Sequence, residues 1–283
     1  MKNTIRFLTV GVIVICLFAF TANFVNQSYS KAVKPPAALM PVPTEQQMVW
    51  HEMELNAFIH FTTNTFTGLE WGEGSEKESV FNPTQLNAEQ WVKSLKDAGF
   101  KQVILTCKHH DGFCLWPSKF TEHSVKNSPY KGDVVKDVSN ACKKLGLKFG
   151  VYLSPWDRNN ANYGKPSYID YYRNQLKELF TNYGTVSEMW FDGANGGNGY
   201  YGGANETRKI DPLSYYDWPN TLSLVRSLQP NVLFFSDAGP DIRWVGNERG
   251  LAGLTNWNMI NYDTLYAGKP GIDKVLNSGS EDG

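Results

Sequence analysis

The sequence predicts an α/β fold, the amino-terminal part of a (β/α)₈ TIM-like barrel. From residue 56 onward, short apolar runs alternate with amphipathic segments, strand then helix, four times over. This order is typical of a parallel sheet covered by helices. Polar residues suited to chemistry also follow the carboxyl ends of the apolar runs, where barrel enzymes place their active sites. The alternative is a doubly wound nucleotide-binding sheet, which is weakened because no G-x-G-x-x-G follows the first strand.

The individual elements follow from hydrophobic period and from stop signals. The segment NAEQWVKSLKDAG has Trp91, Leu95 and Ala98 at helical spacing and ends at a glycine. By the same criteria, the predicted helices cover residues 87–99, 134–146, 168–184 and 218–229. The predicted strands cover residues 56–64, 102–110, 148–157, 186–193 and 231–239, with a sixth around 253–260. The sequence ends in the polar, glycine-rich NSGSEDG, so we expect the last barrel strands to be missing from it.

The first residues have the three-part layout of an export signal. Lys2 and Arg6 precede the apolar run FLTVGVIVICLFAF, and polar NQSYSK follows it. A retained membrane anchor is the alternative, but the run is short for a hydrocarbon core of about 30 Å. We therefore expect a signal peptide at residues 1–30, a linker at 31–44 and an incomplete catalytic barrel at 45–283. The protein is expected to be exported, as a periplasmic or secreted protein.

Composition narrows the class of ligand. The 283 residues are 41% hydrophobic with a formal net charge of −1, so a nucleic-acid partner is not expected. Nine tryptophans and fourteen tyrosines supply flat surfaces that can stack on sugar rings, although core packing accounts for most of them. Cys107, Cys114 and Cys142 are odd in number and fit neither a disulfide framework nor a zinc site. We interpret them as small hydrophobic residues.

Asp192 is the strongest catalytic candidate. It is the first charged residue after the apolar VSEMWF, at the point where a buried barrel strand reaches the rim. A turn-forming Asp-Gly is the alternative, but Trp190 and Phe191 form an apolar wall that an exposed turn does not need. Retaining glycosidases use two carboxyl groups. Candidates for the second are Glu70, Asp157, Glu206, Asp237, Asp241 and Glu248, and spacing does not choose among them.

Histidines at the predicted rim allow a metal site or a hydrogen-bonding site. His109 and His110 are adjacent, and side chains in a strand alternate between faces, so we expect the two rings to point in opposite directions. That spacing is poor for a metal. With His60 and Lys108, two neutral imidazoles suit the hydroxyls of a small polyol, and neither a metal nor a cofactor is expected.

Two further pairs combine an aromatic surface with an acceptor. Glu70 and Trp71 follow the first strand, and Trp156 and Asp157 follow the third. Stacking on one face while binding hydroxyls edge-on is how proteins hold sugars. No G-x-S-x-G and no P-loop is present, so esterase and kinase functions have little support.

Several segments together resemble the α-L-fucosidases of glycoside hydrolase family 29. These are FIHFTTNTF, LEWG, TCKHHDGFCLWPSKFTEHSV, GVYLSPWD, MWFDGANG and SDAGPDIRWVGNERG. The likeness covers about residues 46–259, and KHHDGF followed by W-x-D-G is highly specific. It implies a retaining exo-fucosidase acting on a fucosylated oligosaccharide or glycoconjugate, with a β-sandwich domain following the barrel.

The resemblance also implies roles for individual residues. Asp192 matches the nucleophile. Glu248 matches the acid/base of the branch that cleaves α-1,3- and α-1,4-linked fucose, which GPDIRWVGNE resembles. Residues expected to bind substrate are His60, Glu70, Trp71, His109, His110, Tyr152, Trp190 and Arg243. The glycine- and tyrosine-rich loop 195–211 is expected beside the pocket. Two other functions remain open, a retaining glycosidase for another sugar and a glycan-binding barrel or truncated pseudo-enzyme without activity.

Overall fold

The computed structural model describes residues 34–38, 40–192, 197–211, 214–236, 240–245, 253, 254, 256 and 259. The chain divides into two compact units, residues 1–42 and 43–283. The helices and strands of the described residues all belong to the second unit. None of these helices is both long and apolar enough to cross a bilayer.

Eight strands are described. They are β1 (Asn56–Ile59), β2 (Gln102–Lys108), β3 (Lys148–Leu153), β4 (Glu188–Trp190), β5 (Asn198–Gly199), β6 (Glu206–Thr207), β7 (Leu233–Ser236) and β8 (Ile242–Arg243).

The described residues form six α-helices and three short 3₁₀ turns. The helices are α1 (Glu45–Met53), α2 (Thr63–Thr67), α3 (Ala88–Asp97), α4 (Val134–Leu145), α5 (Ser167–Asn182) and α6 (Trp218–Leu228). The 3₁₀ turns are Glu78–Val80, Val125–Asn127 and Tyr201–Gly203.

Six strands form one parallel sheet in the order β1-β2-β3-β4-β7-β8. Each strand pairs with the next strand of this sheet along the chain, which is the strand order of a (β/α)₈ barrel. The sheet is curled, as half of a barrel is. β5 and β6 form a separate antiparallel hairpin. This confirms the predicted α/β class and parallel sheet.

The predicted strands were too long at their carboxyl ends. β1 stops at Ile59, and Thr62 then caps α2 by accepting a hydrogen bond from the backbone N–H of Asn64. β3 stops at Leu153 rather than 157. Beyond β3, Asp157 Oδ1 accepts hydrogen bonds from the backbone N–H groups of Asn159 and Asn160, so this segment forms a loop. The predicted sixth strand at 253–260 falls mostly outside the described residues, and β8 is the sixth strand of the parallel sheet instead.

The four predicted helices agree closely with α3 to α6, and for α3 and α4 the caps are encoded locally. Asn87 and Asp133 accept hydrogen bonds from the third residue of α3 and α4. Gly146 ends α4 in the left-handed conformation, with φ of 77°. The apolar faces of α3 and α4 pack with β2 and β3 into the main core, which includes Cys107, Cys114 and Cys142 as buried free thiols. The interpretation of these cysteines as hydrophobic residues is therefore confirmed.

Helix α1 was not predicted from the sequence. Thr44 and Gln47 form a reciprocal capping box at its start. The Trp50 indole N–H donates to Oε2 of the buried Glu188 at 2.8 Å, and the Gln102 amide donates to the same oxygen at 2.6 Å. These bonds join α1 to the amino ends of β2 and β4, at the end of the sheet opposite the predicted site.

Candidate active site

Four strand ends bring the predicted site residues together. Residues two apart in a strand share a face, so Phe58 and His60 at the end of β1 lie on one side of the sheet. The same alternation places Tyr152 near the end of β3 and Asp192 just after β4 on that side. The ring centroid of His60 lies 5.8 Å from that of His109 and 6.1 Å from that of Tyr152. A cluster of histidines therefore surrounds the carboxylate at the rim.

Tyr152 and His110 lie next to the carboxylate of Asp192. The Tyr152 hydroxyl donates a hydrogen bond to its Oδ2 at 2.8 Å. Nε2 of His110 lies 3.5 Å from the same oxygen. The side chain of Asp192 remains 35% exposed. The carboxylate is thus oriented by the protein and still accessible to a ligand.

The two adjacent histidines do not point in opposite directions, so that expectation was wrong. Their ring centroids are only 4.1 Å apart, with an angle of 34° between the rings. The pairing of β2 with β3 shifts register between Thr106 and Lys108, and β2 ends at Lys108. His109 and His110 therefore belong to a turn, where strand alternation no longer applies.

Burial keeps the imidazoles neutral. The pKa of His109 is lowered to about 2 and that of His110 to about 3, and desolvation by burial is the largest cause for both rings. The positive charges of Arg158 and Lys108 contribute to the shift of His110. Desolvation also lowers the pKa of His60, although the charge of Asp192 opposes this shift. At neutral pH these rings can each donate one hydrogen bond and accept one.

Sequence reasoning missed the polar residues behind the histidines. Ser154 Oγ lies 2.6 Å from Nδ1 of His110, and Thr106 Oγ1 lies 3.0 Å from Nδ1 of His60. The Asn64 amide nitrogen lies 3.2 Å from Nδ1 of His109. The alternation of strand faces could have found Ser154, because it is two residues beyond Tyr152. Nothing in the local sequence indicates the role of Asn64 in α2.

Aromatic side chains form two walls of the site. Trp71 is 51% exposed, and its ring centroid lies 6.1 Å from that of His110 and 5.8 Å from that of Trp156. Trp190 is partly buried and stacks on Phe235 with centroids 3.6 Å apart. Trp71 offers an open stacking surface, whereas Trp190 is held against the sheet.

The side chain of Glu70 is exposed. Its backbone carbonyl accepts a hydrogen bond from the Asn64 amide at 3.2 Å. This bond links the Glu70–Trp71 segment to α2, so it helps to position Trp71 through the backbone of Glu70.

Lys108 and Asp157 were expected to line the site, but both side chains are buried. The Lys108 ammonium is fully buried and donates to Asp157 Oδ2 and Gln175 Oε1, both at 3.0 Å. The rings of Tyr168, Tyr171 and Tyr172 surround it at 5.3–5.7 Å. Because a buried charge requires a partner, the pair instead fixes the loops after β2 and β3 from behind.

The other candidate acids also differ in their surroundings. Asp241 accepts two hydrogen bonds from Arg226, at 2.7 and 2.6 Å, and Glu206 pairs with Arg208 on the exposed hairpin. These ion pairs favour a structural role for both. Asp237 and Glu248 lie outside the described residues.

Arg243 lies on β8, in register with Ser236 of β7. Burial lowers the pKa of its guanidinium group from the ordinary value. In the sheet order, β8 is two strands away from β4, which ends just before Asp192.

The loop predicted beside the pocket is described for residues 197–211. It contains the β5–β6 hairpin, and the Tyr201 hydroxyl donates to the backbone carbonyl of Gly197 at 2.9 Å. The Trp156 indole N–H in turn donates to that hydroxyl at 3.2 Å. The loop is therefore anchored to the aromatic wall of the site. Among the described residues, no group of three or more His, Cys, Asp or Glu is arranged to hold a metal ion.

The order of these features along the chain is shared with one enzyme family. The sequence model described as "Alpha-L-fucosidase" matches residues 35–247, most of the chain. The chain belongs to the alpha-L-fucosidase family. Alpha-L-fucosidase 1 of Arabidopsis thaliana is 46% identical over 257 residues, which cover 87% of this chain and 48% of the plant protein. A putative alpha-L-fucosidase 1 of Oryza sativa is 44% identical over 238 residues, or 83% and 44% of the two chains.

Solved structures of the alpha-L-fucosidase family agree with the fold. A glycoside hydrolase 29 family member from an unknown rumen bacterium superposes with a TM-score of 0.81 at 55% identity, over 86% of this chain and 44% of the other. A Ruminococcus gnavus family 29 fucosidase in complex with fucose superposes with a TM-score of 0.73 at 35% identity, over 89% and 55%. The chain spans about half the length of the curated relatives described above. The predicted family and the barrel-like α/β fold are confirmed.

Proposed function

We propose that this chain carries the catalytic centre of a retaining exo-α-L-fucosidase. The observation that supports this most directly is the partly exposed Asp192 carboxylate, oriented by Tyr152 and bordered by neutral histidines at the rim of a parallel sheet. Family membership gives the reaction class, and one relative of similar fold is a fucosidase whose structure contains fucose.

The proposed reaction is a double displacement. An Asp192 oxygen attacks C1 of fucose, the glycosidic C–O bond breaks, and Glu248 gives its proton to the departing oxygen. Glu248 then takes a proton from water, whose oxygen attacks C1 and displaces Asp192. Fucose leaves with its anomeric configuration retained, and both carboxyl groups return to their starting states. The role of Glu248 rests on the family resemblance.

The described residues have distinct parts in this scheme. Tyr152 holds Oδ2 of Asp192, so one carboxylate oxygen is fixed while the group remains accessible. His60, His109 and His110 offer neutral hydrogen-bonding groups for the sugar hydroxyls. Trp71 offers an open ring for stacking. Direct substrate contacts of Glu70, Trp190 and Arg243 are part of the proposal.

Hydrolysis by the full-length protein tests the proposal. The wild type should release the aryl group from an aryl α-L-fucoside but not from the matching galactoside, and proton NMR should first detect the α-anomer of free fucose. Asp192→Gly should lower turnover by several orders of magnitude. Near-normal turnover in that variant, or the β-anomer as first product, would contradict the double displacement through Asp192.

The acid/base role requires its own variant. Glu248→Ala should be slow on natural glycans, and azide should restore turnover on an activated aryl fucoside. That leaving group needs no proton, and azide, unlike water, needs no base to attack the covalent intermediate. Glu206→Ala is the matched control, since Glu206 pairs with Arg208 on the exposed hairpin. High residual activity of Glu248→Ala without azide rescue would assign the role to another carboxylate.

Specificity for α-1,3 and α-1,4 linkages is the finer proposal, and it rests on the resemblance of GPDIRWVGNE to one branch of the family. Hydrolysis of oligosaccharides that differ only in linkage should show a preference for these two over α-1,2 and α-1,6. Equal rates on all four would reject this branch assignment. Continuation of the barrel strands and a β-sandwich after residue 283 stay predictions.

Export is proposed from Lys2, Arg6 and the apolar run after them, which lie outside the described residues. Fractionation of producing cells should find the protein outside the cytoplasm. Its amino-terminal residue by mass spectrometry should lie near residue 30. An intact Met1 in the cytoplasmic fraction would contradict this assignment.

A further inference from the structure

The hydrogen bonds behind the histidine pair determine where each ring carries its hydrogen. The Ser154 hydroxyl lies 2.7 Å from the backbone carbonyl of Trp156 and 2.6 Å from Nδ1 of His110. A carbonyl oxygen can only accept, and a serine hydroxyl has one hydrogen. Ser154 therefore donates to the carbonyl of Trp156, and Nδ1 of His110 donates to Ser154.

The adjacent ring is held in the opposite way. The Asn64 side-chain nitrogen lies 3.2 Å from the Glu70 carbonyl and 3.2 Å from Nδ1 of His109. Because the Glu70 carbonyl can only accept, the atom facing it is the amide NH₂ group. That group has two hydrogens, one for each neighbour. Nδ1 of His109 is consequently an acceptor, and a neutral His109 carries its hydrogen on Nε2.

We propose that Ser154 and Asn64 are positioning residues that hold the adjacent imidazoles in opposite tautomers, so that His110 offers a lone pair at Nε2 and His109 carries a hydrogen there. Ser154 is completely buried, and His109 and His110 are 9% and 4% exposed, so water does not compete strongly with these bonds. The low pKa of both rings agrees with neutral forms.

The tautomer of His110 restricts the ligand. Its Nε2 faces Oδ2 of Asp192 at 3.5 Å, a separation longer than a normal N–H···O hydrogen bond, as expected for two acceptors. A ligand group that binds Nε2 must therefore donate a hydrogen. On a sugar that group is a hydroxyl, and an ether or a fluorine cannot replace it. This restriction on the sugar rests on the proposed fucosidase function, whereas the assignment of the two tautomers does not depend on that function.

The tautomers can be measured without any substrate. Long-range ¹H–¹⁵N correlation spectra of the ligand-free full-length protein distinguish protonated from unprotonated ring nitrogens. We expect a protonated Nδ1 in His110 and a protonated Nε2 in His109. The same tautomer in both rings, or the reverse pair, would overturn the proposal even if the enzyme is active.

Two variants test the positioning residues separately. Ser154→Ala removes the acceptor at Nδ1, so His110 should move its hydrogen to Nε2 and donate to Asp192. Asn64→Asp replaces a donor by a carboxylate of nearly the same shape, so Nδ1 of His109 should become protonated. Ser139→Ala is the control, because the buried Ser139 also donates to a backbone carbonyl, that of Lys136 at 3.0 Å, within α4. Unchanged ring spectra in both folded variants would contradict the proposal.

Kinetics test the consequence for the ligand. Ser154→Ala should raise KM for an aryl fucoside at least about tenfold, the cost of one lost hydrogen bond to a buried group, and Ser154→Thr should restore most of it. In the wild type, replacing the sugar hydroxyl that binds His110 by fluorine should weaken substrate binding as much as replacing it by hydrogen. A fluorosugar that binds like the parent at every position would reject the acceptor role. An inactive wild type would reject the fucosidase proposal alone, since the spectra still decide the tautomers.

Discussion

The Tyr152 hydroxyl donates a 2.8 Å hydrogen bond to Oδ2 of Asp192 from the neighbouring strand. Burial, and then the charge of Asp192, raise the pKa of this phenol well above its ordinary value, so the group stays a donor throughout the physiological range. One carboxylate oxygen is thereby fixed by β3, while the peptide backbone that carries Asp192 comes from β4.

Tyr152→Phe should lower kcat/KM on an aryl fucoside by about 10- to 100-fold, because a hydrogen bond to a charged group contributes about 1.5–3 kcal/mol. Tyr183→Phe is the matched control. Tyr183 makes the same type of bond, 3.0 Å to Asp133, at the end of α5. Equal loss of activity in both variants would mean that Tyr152 acts through stability and not through Asp192.

Lys108→Met should lower the free energy of unfolding by about 3–5 kcal/mol, because it leaves the Asp157 carboxylate buried without its cation. Adding Asp157→Asn should recover part of this loss. Denaturant titration of both variants measures it. Lys93→Met removes an ion pair whose side chains are 63% and 61% exposed, and it should cost less than about 1 kcal/mol. A Lys108 variant as stable as the Lys93 variant would contradict the structural role of the buried pair.

Glu188→Gln should make stability less dependent on pH. Burial raises the pKa of Glu188 to about 7, so the folded protein keeps a proton that the unfolded chain loses from about pH 4.5 upward. Stability should therefore fall as pH rises through this window, by at most about 3 kcal/mol, and the deficit should be complete above pH 7. Glutamine keeps an acceptor for Trp50 and Gln102 without the charge.

Urea denaturation at pH 5 and pH 8 measures this effect, and Glu89→Gln is the control because Glu89 is 53% exposed. The stability difference between the two pH values should shrink in Glu188→Gln only. An unchanged difference would show that Glu188 is ionised at little cost in the folded protein.

Gly112→Ala should be more damaging than Gly146→Ala. Both glycines are left-handed, with φ of 82° and 77°. A Cβ on Gly112 would lie 2.4 Å from Asp157 Oδ1, whereas one on Gly146 would meet nothing within 4 Å. Gly146→Ala should cost about 1–2 kcal/mol from backbone strain alone. Gly112→Ala should cost more and also lower activity, since it displaces the turn that follows His110. Equal thermal unfolding of the two variants would contradict the close approach.

The sequence predicted those helix ends that are determined by residues close together in the chain. Asn87 and Asp133 cap the starts of α3 and α4, both helices end near glycines, and each of these caps uses atoms within one turn. Asp192 was expected at the rim because it follows an apolar strand, and the structure places it just after β4. Tyr152 was expected there only from the family resemblance. The roles assigned to these residues in catalysis stay predictions.

Long-range pairing explains what the sequence could not provide. Lys108 looked like a rim residue because its partners Asp157 and Gln175 are 49 and 67 residues away. His109 and His110 share a side because they lie in the turn after β2, which ends at Lys108, and no pattern within the predicted strand 102–110 indicates that end. The exclusion of Asp157 as a catalytic acid follows from the same buried pair.

The sheet order has a consequence for synthesis of the protein. β1 pairs with β2, β2 with β3 and β3 with β4, so each of these pairings can form as soon as the next of these strands has been made. The strands that carry the site can therefore assemble stepwise as the polypeptide leaves the ribosome, with Tyr152 already in place when Asp192 emerges.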